Sequence, residues 1–243
     1  MMKFNMDAHM HFDLYKNRQD VLNYIEENKS YTIAVTNLPV LYRRYYTKEW
    51  NYKFIRLALG FHPELVSQYE NQIEVFKELF QSTRFIGEVG LDYSIKNEEN
   101  RKKQRDVFEQ IVNLCKTDDK KILTVHSRRA ESDCLNILER FEGKVILHWY
   151  TGSLYNVDVA LSRGYYFSIN HQMIKNQNGR NIINRIPIER ILIESDAPFT
   201  VGLNSDYNIS FVNELINFLS LSKNIDEAVL YMQIKSNFKN LLS

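Results

Sequence analysis

The chain has 243 residues, 44% of them hydrophobic and 25% charged, with 8 glycines, 4 prolines, 2 cysteines and a formal net charge of +1. This composition excludes a disordered, collagen-like or disulfide-stapled protein. Near-neutrality neither advertises nor excludes a nucleic-acid partner, because a nuclease needs only a local positive surface.

No apolar run approaches the roughly 18 residues of a membrane helix, and the N-terminus lacks a signal-peptide pattern, so a cytoplasmic protein without membrane attachment is expected. Cys115 and Cys134 lack CxxC spacing and read as reduced thiols. The 15 tyrosines and 14 phenylalanines exceed what a compact core needs and leave some for stacking or grooves.

Short β-rich runs recur along the chain: KFNMDA (3–8), YTIAVT (31–36), FIRLAL (54–59), FIGEVG (85–90), ILTVH (122–126), VILHW (145–149), YYFSI (165–169) and ILIESD (191–196). Helix-compatible stretches such as QIEVFKELFQ, RDVFEQIVNLC, CLNILERF and NIINRI lie between them, with apolar residues three and four apart. ISFVNELINFLSLS and DEAVLYMQIKSNFKNLL supply closing helices. Eight strands alternating with helices predict parallel βαβ units and a (β/α)₈ TIM barrel, although an open doubly wound sheet would show the same alternation. No linker, repeat or composition break divides the chain, so residues 1–243 read as one domain.

The first strand runs into DAHMHFD. Alternate strand residues face one side, so His9 and His11 project into one space with the carboxylate of Asp7 or its neighbours. An HxH pair alone is as compatible with a surface turn. The remaining polar residues favour a site: His62 follows the third strand, Glu88 lies in the fourth, His126 ends the fifth, His148 the sixth and Asp196 the eighth. In a (β/α)₈ barrel the carboxyl ends of all strands meet at one mouth, making these residues neighbours.

Imidazoles with carboxylates suit two divalent ions, zinc, manganese or magnesium, held by His9, His11, Glu88, His126, His148 and Asp196. Glu88, on the strand opposite the first, is the expected bridge. Two such ions can orient and activate water and neutralise charge on a phosphoryl or carbonyl oxygen.

In order, the motifs DAHMHFD, GFHPE, GEVGLDY, HSRRA, HWYTGS and ESDAPF resemble the TatD-like metal-dependent hydrolases, most of whose studied members are deoxyribonucleases. The resemblance covers about residues 7–200. It implies a TIM barrel, one ion on His9, His11, Glu88 and Asp196, the other on Glu88, His126 and His148, and Asp196 as the base for the attacking water. Three motifs depart from the usual pattern, HWYTG for HCFSG, ESDAP for ETDAP and HSRRA for HSRDA, and all three keep the ligands. HWYTGS, SINHQM and HSRRA resemble the TatD-like component of Qat anti-phage systems, which implies a defence nuclease acting beside other proteins.

His62, beside Pro63, is expected in the mouth, contacting phosphate or protonating a leaving oxygen, unless it only packs on the proline. Glu194 would orient a ligand histidine or approach a third ion. Asp92 would do similar supporting work or cap its loop. Of Arg128 and Arg129, at least one, taken as Arg128, would hold a phosphate. In LYRRYYTKEWNYKFIR (41–56) the cations Arg43, Arg44 and Lys48 interleave with Tyr42, Tyr45, Tyr46, Trp50 and Tyr52. This suits single-stranded nucleic acid or, equally, an amphipathic outer helix. NEENRKKQRD reads as an exposed helix start, and His171 as a loop residue.

The expected activity is therefore hydrolysis of DNA phosphodiesters, with single-stranded stretches as partner. The alternatives are a small ester, amide or lactone substrate, an aminoacyl-tRNA ester, or a non-catalytic role in a defence complex.

Overall fold

A computed structural model describes residues 5–47 and 49–243; Lys3 and Phe4 of the first expected strand, and Lys48, lie outside the described residues. Eight strands follow one another in space as in sequence: β1 (Asn5–Met10), β2 (Ser30–Ala34), β3 (Ile55–Leu57), β4 (Phe85–Gly90), β5 (Ile122–His126), β6 (Lys144–His148), β7 (Tyr166–Ile169) and β8 (Ile191–Ile193). All ladders are parallel, β1 to β3 in one run and β4 to β8 in the other.

Main-chain bonds join the two runs. Leu59 donates to Phe85 (2.9 Å) and Gly87 to Leu59 (2.9 Å), linking the chain after β3 to β4. On the other side Asp196 donates to His9 (3.0 Å) and His11 to Ala197 (2.8 Å), linking β1 to the segment after β8. The sheet is thereby closed into the expected barrel, with the helices outside it.

Strands buried on both faces must be apolar almost throughout, and here β4 and β7 are buried at every position. Helices cover them with one apolar stripe each. In Glu98–Cys115 the residues Val107, Phe108, Ile111, Val112 and Cys115 are buried, while Asn97 caps the start by accepting from the Asn100 amide. This is the helix whose exposed start NEENRKKQRD predicts. The helix Pro39–Tyr45 holds the start of the aromatic-basic segment on the outside of the barrel: Tyr42 is fully buried, Tyr45 and Trp50 pack on Phe12, and Arg43 pairs with Glu78 at 2.5 Å. Among the described residues no helix is long and apolar enough to cross a membrane.

Most strand boundaries shift by a residue or two from expectation, and three of the shifts bear on the site. Strand β1 runs to Met10, so His9 lies within it and His11 just beyond. Strand β6 stops at His148, because Trp149 turns to φ +37°. Strand β8 stops at Ile193, leaving Glu194 and Asp196 outside it; Asp196 takes φ +46°. His171 opens the short helix His171–Lys175 and pairs with Glu214 at 2.8 Å.

Candidate metal centre

At the carboxyl ends of the strands Glu88 divides its two oxygens between two groups of imidazoles. Its Oε2 lies 3.5 Å from His9 Nε2 and 3.3 Å from His11 Nε2. Its Oε1 lies 2.7 Å from His126 Nδ1, 3.0 Å from His148 Nε2 and 3.4 Å from His62 Nε2. Asp196 Oδ1 completes the first group at 3.7 and 3.6 Å from His9 and His11 Nε2. The structure thus brings together all six residues expected as ligands, with His62 beside them.

The backbone explains why one short motif can do this. Gly90 takes φ +138°, a region closed to side-chain-bearing residues, and a Cβ there would meet the His126 carbonyl oxygen at 2.0 Å. With no side chain at 90, the chain leaves β4 tight against β5. The Leu91 amide donates to the His126 carbonyl (3.0 Å), and Asp92 comes under the His126 ring.

Asp92 fills both expected roles. Its Oδ2 lies 2.8 Å from His126 Nε2, while Oδ1 accepts from the Ser94 amide at 2.8 Å; the buried Gln104 amide pins its backbone on both sides. Glu194 approaches His148 Nδ1 to 3.4 Å through Oε1, which also accepts from the Trp149 amide (3.1 Å) and Asn170 Nδ2 (2.9 Å); Oε2 accepts from the Ser168 hydroxyl. A histidine held by a carboxylate on one nitrogen presents the other to the cleft, the usual support of a metal-binding imidazole. Asp7 faces the same side as His9 and His11 but a layer lower. Its carboxylate takes the amides of His9 (3.2 Å) and Ser195 (2.9 Å) and the Tyr207 hydroxyl (2.9 Å), and burial pushes its pKa up to about 7.

The electrostatics show how the cluster balances its charge. Burial alone would raise Glu88, but the charges of His62 and His148 and hydrogen bonds from His11 and His126 outweigh it and hold the carboxyl well below its ordinary range. Burial would lower His11 and His126, yet their carboxylate partners, Asp196 first for His11 and Asp92 first for His126, raise each to about 9. His9, buried and facing charged His148, is lowered.

The donor set fits divalent cations. His9 Nε2 and His11 Nε2 lie only 3.2 Å apart and turn toward the same carboxylates. Three triads, His9–His11–Asp196, His9–Glu88–His148 and His62–Glu88–His126, each hold their donor atoms within 4.8 Å. Nitrogen and oxygen donors converging this closely are what zinc- or manganese-type ions require.

Above this floor opens a cavity of about 670 Å³. Arg128 lines it, as expected of one arginine of the pair; Arg129 does not. Sequence reasoning missed Lys175, Trp149 and Phe199 on the same wall. His171 read only as a loop residue, with nothing to show that Lys175 beyond it would reach the cavity, and Trp149 looked like the last residue of a strand.

A parallel eight-stranded barrel with imidazoles and carboxylates gathered at its C-terminal mouth defines a metal-dependent hydrolase architecture. The family model for TatD-related DNases matches residues 6–243, and the chain belongs to that family of metal-dependent hydrolases. An uncharacterized metal-dependent hydrolase of Buchnera aphidicola subsp. Baizongia pistaciae is 26% identical over 259 residues, covering 99% of this chain and 96% of its own length. The human 3'-5' RNA nuclease TATDN2 is 32% identical over 154 residues, 58% of this chain and 20% of that protein. Among solved structures, the TatD homologue YjjV of Escherichia coli superposes with a TM-score of 0.85 at 19% identity, covering 99% of this chain and 98% of the other, a likeness of fold.

Proposed function

We propose that the chain is a deoxyribonuclease that hydrolyses phosphodiester bonds with two divalent ions held across Glu88. The observation that carries the reading is the division of Glu88: one oxygen faces His9 and His11 and the other faces His126 and His148. On this reading His9, His11, Glu88 and Asp196 hold one ion, and Glu88, His126 and His148 the other. The ions would supply Lewis-acid stabilisation of phosphate charge and activation of water.

The chain's own residues do the rest. Asp196, buried at the edge of the first group, accepts the proton of the attacking water. His62 Nδ1 accepts from the Glu64 amide at 3.2 Å, which fixes its proton on Nε2, the nitrogen facing the cleft. His62 would therefore offer an Nε2–H hydrogen bond to charge developing on the leaving oxygen. Arg128 and Lys175 on the wall attract the polyanion and offset charge developing on the non-bridging oxygens. DNA is favoured over a small neutral ester because the cleft is open and two cations line it. A place beside other proteins in an anti-phage system rests on HWYTGS, SINHQM and HSRRA alone.

The test is cleavage of end-labelled single- and double-stranded DNA, with RNA in parallel, by wild type and Asp196→Ala across zinc, manganese and magnesium. Metal-dependent DNA products that disappear in Asp196→Ala are expected. Cleavage of RNA only would move the substrate, and inertness toward both nucleic acids with turnover of small esters would replace the reading.

A further inference from the structure

The cavity wall has two chemically distinct parts. Arg128 and Lys175 are cationic; Trp149 and Phe199 are aromatic, and each follows a floor residue closely, Trp149 directly after His148 and Phe199 three residues after Asp196.

Phe199 is 58% exposed, a large apolar ring left open to solvent on the cleft wall. It is fixed rather than dangling. Its amide donates to the Asp196 carbonyl (2.8 Å), the adjacent Thr200 hydroxyl donates to the Ser195 carbonyl (2.7 Å), and its ring stands edge-on to His11 with centroids 5.3 Å apart.

Trp149 takes φ +37°, a left-handed conformation unfavourable for a bulky residue. Its amide bond to Glu194, the same carboxylate that steadies His148, holds it there. The turn breaks the alternation of β6 and places residue 149 on the cavity wall.

We infer that Phe199 and Trp149 form a base-recognition surface, taking the planar base of the nucleotide whose phosphate lies over Glu88. The inference rests on the phosphodiesterase reading above and adds to it the element that tells a nucleotide from a bare phosphodiester. A phosphate needs only the ions and the cations on the wall. A heteroaromatic base gains from an aromatic face, and such stacking is sequence-tolerant because every base has a π-face.

The probe is a deoxydinucleotide, whose single phosphodiester leaves no doubt about the cleaved position, against the same molecule lacking both bases. The measured quantity is the ratio of their kcat/KM values for metal-loaded wild type, Phe199→Ala, Trp149→Ala and Phe199→Tyr. Stacking on one base predicts a wild-type ratio of about 5 to 150, a fall toward one in both alanine variants, and retention in Phe199→Tyr. A wild-type ratio near one, or an unchanged ratio in both alanine variants, overturns the inference.

If neither dinucleotide is cleaved, binding decides the remainder, and the phosphodiesterase reading itself fails only where the end-labelled DNA is left uncut as well. The chain has 2 tryptophans, so Trp50→Phe leaves Trp149 as the sole reporter. Quenching by deoxyadenosine monophosphate that deoxyribose 5-phosphate does not produce, and that Phe199→Ala abolishes, upholds the base surface. Equal responses to the two ligands reject it.

Discussion

Glu194 is the residue at which support of the metal centre separates most cleanly from support of the fold. It is fully buried and accepts from three donors, the Trp149 amide, Asn170 Nδ2 and the Ser168 hydroxyl, while approaching His148 at 3.4 Å. In Glu194→Gln the amide oxygen can keep the Trp149 and Asn170 bonds, and its NH₂ group can donate to the Ser168 hydroxyl, which rotates to accept. The hydrogen-bond count survives and the charge beside His148 does not. In Glu194→Ala all three donors are stranded, at about 1–3 kcal/mol each and less than additively, for a total on the order of 3–6 kcal/mol. Loss of the carboxylate behind a metal-binding histidine typically costs about 10–100-fold in affinity. The glutamine variant should therefore melt close to wild type yet bind zinc or manganese 10–100-fold more weakly, whereas the alanine variant should also lose several kcal/mol of stability. Thermal melts paired with calorimetric metal titrations separate the two effects. A Glu194→Gln protein with wild-type metal affinity, or an alanine variant as stable as the glutamine one, would refute the reasoning.

Two further expectations concern the body of the barrel. Lys121 is buried, with Nζ donating to the carbonyls of Phe80 (2.8 Å) and Thr83 (2.7 Å), so Lys121→Met should cost about 1–3 kcal/mol in urea unfolding at neutral pH. Burial holds its pKa below the ordinary lysine value, so above the folded pKa the unfolded chain binds more protons. The stability gap between wild type and variant should then widen as pH rises toward 10.5; a gap that narrows would contradict the assignment. Both cysteines are buried, and burial pushes the Cys115 thiol up to about 12 and Cys134 well above the ordinary thiol value, so a thiol reagent at pH 8 should label neither until denaturant releases two.

The barrel and the convergence of the six candidate residues were legible because both rest on local periodicity. Alternation places Asp7, His9 and His11 on one side of a strand, and strand ends of a parallel barrel share one mouth whatever the helices between them do. The same alternation misled at the ends of β6 and β8. There the ladder stops and two residues enter left-handed conformations, so Trp149 and Asp196 are aimed by turns that no two-residue period describes. The aromatic-basic segment was ambiguous for a different reason. Interleaved cations and rings look alike in sequence whether the rings face solvent or core, and only packing shows Tyr42 inside and Arg43 paired with Glu78. Lys175 carried no pattern at all and Phe199 only its place at the end of ESDAPF, since their positions depend on how separate loops meet.

The barrel is fastened at the very point where its chemistry lies. His9 and His11 come from the opening strand, Asp196 from just past the final one, and their backbones already bond across that boundary. A cation gripped jointly by those three side chains would act as a clasp between the first strand and the segment after the last, shutting a loop that runs through the whole barrel, and clips that shut long loops remove the most freedom from an unfolded polypeptide. Loading the enzyme and locking its architecture would then be one event, and a protein stripped of its ions would open first along this junction.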